Sequence, residues 1–139
     1  MAQQQLLLII LATIVVGIAV TVGIQMFADN AISSNRDAVS SDLTSLAGRA
    51  QAYYRRPAIM GGGDHSFVGL TTDDAGIKKL TSLPGGKNDN GTFSISAAGT
   101  LNEVVIEGVG AERAGDGNPV KVEIHVRDAG RADSLVILH

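Results

Sequence analysis

The chain has 139 residues with 14 acidic and 11 basic side chains, a net charge of −3, and no cysteine or tryptophan. One domain's worth of length, no thiol for a disulfide or a zinc thiolate site, and a mildly acidic balance leave no electrostatic case for nucleic-acid binding. Seventeen glycines against five aromatic residues point to a turn-rich fold with a small core.

The chain opens MAQQQLLLIILATIVVGIAVTVGIQMF, and from Leu6 to Ile24 only Thr13 and Thr21 are polar. A helix of roughly 20 such residues matches the thickness of a bilayer core. A secretory signal peptide would carry a basic n-region and a shorter apolar stretch. Here the first basic residue is Arg36, and Ala28-Asp29-Asn30-Ala31 imitates a cleavage site only loosely.

From Asp29 to Arg56 the apolar positions Ile32, Val39, Leu43, Leu46, Ala50 and Tyr53 recur at helical spacing, one stripe on an otherwise polar surface. Gly48 is the one glycine in that stretch and no proline occurs before Pro57. The pattern predicts a single helix of about 55 residues, near 80 Å long. Its first half, residues 1–28, is apolar all round and needs lipid or protein on every side; its second half, residues 29–56, is amphipathic.

Residues 57–139 change period. Gly61 to Gly63 mark a loop. A short helix is expected in TTDDAGIKKLTSLPGG, with Thr72 as N-cap, Asp73 and Asp74 in the first turn, and Ile77 and Leu80 as its apolar face. Strands are expected at GTFSISA, NEVVIEGV, VKVEIHVR and SLVILH, the last reaching His139, with turns at Ala98-Gly99-Thr100 and Arg127-Asp128-Ala129-Gly130. Strands so joined favour an antiparallel sheet with one face covered, and the stripe on the long helix is the natural cover. The expected class is α+β: a long N-terminal helix packed on a small antiparallel β-sheet head.

Candidate chemistry is sparse. His65, His125 and His139 share no metal-ligand spacing, and no serine or aspartate forms a nucleophile motif. No catalytic residue, metal or cofactor is expected, and the chain reads as a non-enzyme. Asn88-Asp89-Asn90-Gly91 lacks the later glutamate of a calcium loop and reads as a turn before a strand, while Asn90-Gly91-Thr92 is a glycosylation sequon that makes Asn90 a possible acceptor. Arg55 and Arg56 read as a solvated helix end.

An apolar N-terminal helix, its amphipathic continuation and a small antiparallel sheet together resemble a type IV pilin or pseudopilin. The resemblance is architectural over the whole chain and residue-level over about the first 25 positions. With Met1 taken as the mature N-terminus, the apolar run starting at Leu6 matches the family's register; the family's usual glutamate at the fifth position is Gln5 here, and its frequent initial phenylalanine is Met1. The resemblance implies a structural subunit of a type IV pilus-like filament that sits in the inner membrane before assembly, meets a pilus assembly machinery, and then self-associates into a homopolymer at the cell surface. Met1, Gln5, Leu6, Ile10, Val16, Gly17 and Gly23 would then lie in the filament core. Gln3, Gln4 and Gln5 would bond neighbouring backbone or amine groups there, or else sit at the headgroup interface. Gly17 and Gly23 would ease local loss of helix, or allow close helix packing. The competing expectations are a single-pass membrane-anchored protein whose head binds a partner outside the cytoplasm, and a pseudopilin of a secretion system.

Overall fold

A computed structural model describes residues 2–128 and 132–138, so the expectations that rest on Met1, on Ala129-Gly130 and on His139 fall outside the described residues. The chain divides into two compact units, Met1–Ala31 and Ile32–His139. A single helix, α1 (Ala2–Arg55), supplies all of the first and the beginning of the second. The α+β class is as the periodicity indicates.

Within the second unit α1 is followed by a 3-10 turn (Ala58–Met60), helix α2 (Asp74–Leu80), a second 3-10 turn (Pro84–Gly86), and strands β1 (Gly91–Ala97), β2 (Glu103–Arg113), β3 (Pro119–Arg127) and β4 (Ala132–Ile137). The strands form one antiparallel meander in the order β1-β2-β3-β4. Its register lines up Ile95, Ile106, Ile124 and Leu135 as one row across all four strands. Successive side chains alternate between faces, so Ile95, Ile106 and Ile124 of this row, with Phe93, Val104, Val120, Val122 and Val126, form the buried face, while Leu135 on the edge strand stays exposed.

The helical stripe lies in the same core. Val39, Leu43, Leu46, Ala50 and Tyr53 are buried with the strand residues, Ala47 joins them, and Ile32 packs at the margin partly buried. Fully burying side chains of this size stabilises the fold by about 1.5–3 kcal/mol each. Two glycines let helix and sheet approach. A Cβ on Gly108 would lie 2.7 Å from Val39 Cγ1 and 3.0 Å from the Phe93 ring, and one on Gly110 would meet Asn35 Oδ1.

Several element boundaries differ from the sequence expectation. The N-cap of α2 is Asp73, not Thr72: the Asp73 carboxylate accepts the Gly76 N–H at 3.3 Å, while the Thr71 hydroxyl donates to the same carboxylate. Aspartate ranks above threonine as an N-cap because its carboxylate oxygen accepts from the free N–H groups of the first turn. Strand β2 runs four residues past Val109: glycine at 108 and 110 breaks the apolar alternation, and the pairing with β3 resumes at Arg113 after a shift of register. Strand β4 begins at Ala132, two residues before the expected start, and ends at Ile137.

The loop after α1 closes the core from one end. Phe67 and Leu70 are fully buried, and the Phe67 ring stacks at 4.8 Å on Tyr54. The loop itself is fixed by backbone bonds from Gly63 to Tyr53, Asp64 to Arg56 and His65 to Tyr54, which satisfy the last carbonyls of α1.

Candidate functional site

The apolar part of α1 is the feature that the rest of the chain leaves unexplained. An 18-residue window there has a mean hydropathy of 2.9 and is 0% buried, so by length and composition the helix can cross a membrane, and this window takes no part in the chain's own core. Leu6, Ile10 and Val16 are all exposed, as are the leucines, isoleucines and valines between them. Exposed apolar area on this scale is stable in water only when something covers it.

The threonine hydroxyls of the segment bond back to its own backbone. Thr13 donates its hydroxyl to the Ile9 carbonyl and Thr21 to the Ile18 carbonyl, each at 2.8 Å, so neither hydroxyl is left to seek water. No charged side chain occurs before Asp29. The helix runs unbroken through Gly17 and Gly23, and a Cβ at either would meet nothing within 4 Å. Neither glycine therefore serves packing inside this chain; both leave the helix surface open to close approach from another. Gln5 lies in the exposed first turns of the same helix.

The remaining candidates have local structural partners. His125 Nδ1 lies 2.7 Å from Glu103 Oε1 across the β2–β3 pair, and Arg127 Nε is 3.8 Å from the same oxygen. His65 lies 3.8 Å from Asp64 and packs its edge against the Tyr54 ring at 5.6 Å. The two histidines are thus in separate places, and among the described residues no group of three potential metal ligands forms. Nothing in these pairs assembles a nucleophile with a base.

Asn90 has a structural employment that its sequon did not reveal. Its Nδ2 and that of Asn88 both donate to Asp42 Oδ2 at 2.8 Å, and its carbonyl accepts from Asn35 Nδ2 at 2.8 Å. Asn88 Oδ1 in turn accepts the backbone N–H groups of Asn90 and Gly91, making the turn that starts β1. The segment expected to be a turn is one, and it also ties the turn to α1. Asp42 carries no sequence signal for this, because the tie spans 46 and 48 residues.

A second surface feature lies between α1 and α2, where Arg49, Ala52, Tyr53, Arg56, Lys79 and Leu80 line an open groove of about 280 Å³. No protein-family model, no curated protein and no solved structure matches the chain.

Proposed function

We propose that the chain is the structural subunit of a type IV pilus-like filament, held in a membrane by the first half of α1 before assembly and packed through that same half against other copies afterwards. The observation that carries this reading is the wholly exposed apolar window in a helix that continues, as one uninterrupted element, into the stripe that nucleates the head.

Charge placement supports the polymer over a plain anchor. Flanking lysines and arginines orient a permanent membrane anchor. Here three glutamines precede the apolar run and the first basic residue is Arg36. A subunit that must leave the bilayer for a protein core is better served by neutral amides, because an unpaired charge buried in a polymer is expensive. The internally bonded Thr13 and Thr21 hydroxyls fit a lipid phase and a helical bundle equally well. Gly17 and Gly23 supply the small positions through which apolar helices pack closely. The role needs no cofactor; its partners are other copies of the chain, the membrane before assembly, and the machinery that extracts the subunit.

The test is electron microscopy of material sheared from the surface of producing cells, with mass spectrometry of its main band. Filaments built from this chain are expected. Sheared fractions without the chain, together with a monodisperse monomer in mild detergent, would refute the reading.

A further inference from the structure

We propose that the groove between the last turns of α1 and helix α2 is a binding site for an elongated oxyanion, a ligand carrying two or more phosphate or carboxylate groups. The inference concerns the head and stands independently of polymerisation. Arg49 and Arg56 are seven residues apart, so they project from nearly one face of α1 and are separated by about 10 Å along its axis. Lys79 reaches the same groove from α2, and Ala52 lies between the two arginines as a small floor residue beside Leu80 and Tyr53.

At the groove three cations gather without a direct ion pair to a carboxylate among the described residues, although Asp73 lies near enough to feel the Lys79 charge. Among the described residues the ion pairs are His65–Asp64, Lys121–Glu107, His125–Glu103 and Arg127–Glu103, and none involves Arg49, Arg56 or Lys79. Arg49 gives one Nη1 bond to the Leu80 carbonyl at 3.1 Å, and Lys79 gives one to the Gly69 carbonyl at 2.6 Å while lying 5.9 Å from the Tyr53 ring centre. These contacts orient the two cations and leave most of their N–H donors unused, since a guanidinium has five and an ammonium three. The Arg56 side chain makes no hydrogen bond or ion pair among the described residues. Arg56 is not needed as a helix cap either: backbone N–H groups from Arg56, Gly63, Asp64 and His65 already take the carbonyls of Ala52, Tyr53, Arg56 and Tyr54.

Two guanidinium forks and an ammonium around a groove that is small but open give bidentate recognition of oxygen pairs at each end and a point charge beside them. A single spherical ion would engage one arginine and leave the other; a ligand with oxyanions at both ends engages both.

The test is calorimetric titration of the full chain in detergent micelles, at low salt, with tripolyphosphate and separately with citrate. Saturable binding with one site per chain is expected for at least one probe, and the preferred probe identifies the oxyanion. Arg56→Gln is expected to weaken it about tenfold or more, as is Lys79→Gln, the loss of a charge-assisted bond, whereas Lys87→Gln, outside the groove, should leave it unchanged. The Arg56→Gln chain should keep the wild-type melting temperature without ligand, which separates a lost contact from a lost fold. Absence of saturable binding for both probes, or equal affinity in Arg56→Gln and Lys87→Gln, would overturn the proposal.

Discussion

Gly108 is the residue where helix and sheet constrain each other most directly. Its α-carbon faces Val39 and Phe93 so closely that any β-carbon needs both to move. Gly108→Val is therefore expected to destabilise the head by about 1–3 kcal/mol, the range for overpacked cores, read as a lower midpoint in thermal denaturation. Leu43, fully buried beneath the sheet, tests the opposite fault. Leu43→Asp strands a charge in the core at a cost of roughly 3–5 kcal/mol, and the head should unfold or be degraded in cells. Unchanged thermal stability would place the sheet elsewhere. Asp73 gives a pH-dependent case at the start of α2. Its carboxyl is held below the ordinary value of 3.8, first by the Thr71 hydroxyl, against a smaller opposing effect of burial and with help from the Gly76 N–H and the Lys79 charge. A depressed folded value means the ionised cap stabilises α2 fully above the ordinary value, and the contribution is lost as pH falls through the folded one. The protection factor of the Gly76 amide should thus fall as the pH drops below about 4, and Asp73→Ala should remove that dependence.

At the scale of elements, what the sequence makes legible is what periodicity encodes. The helical stripe from Val39 to Tyr53 is buried position by position, and β1 runs from Gly91 to Ala97 just where Phe93 and Ile95 alternate with polar residues. The end of β2 was hidden because its glycines look like loop residues until the helix that crowds them is known. Phe67 and Leu70 carried no period at all, being buried by a loop whose course is set by backbone bonds to the end of α1. The ties from Asp42 to Asn88 and Asn90 were equally silent, since side chains 46 and 48 residues apart leave no local pattern. That clamp joins the middle of α1 to the start of the sheet. Asp42→Ala should leave two amides without their charged acceptor and destabilise the head by about 1–3 kcal/mol, with the turn at residues 88–91 gaining the most in amide exchange. Of the candidate site, the apolar half was legible outright, because a run without charges needs no tertiary context to be read. The cationic groove was not, because Lys79 meets Arg49 and Arg56 only through the packing of α2 on α1.

The whole molecule joins two solvents' worth of chemistry in one helix, an apolar half exposed over its full circumference and a half whose stripe holds the head together. That union is what the filament proposal explains, and Val16, exposed within the apolar half, is where to test it. Arginine there costs about 3 kcal/mol on membrane-insertion scales, which a run this apolar tolerates, because the side chain can reach toward a headgroup layer. In a polymer core the same charge repeats in every subunit with no headgroups within reach, and it stays buried and unpaired. The decisive measurement is membrane-fraction abundance paired with filament yield for Val16→Arg against a Val16→Leu control. Retained membrane insertion with filaments abolished is the expected result; normal filaments from the arginine variant would contradict the account and leave the segment as a membrane anchor.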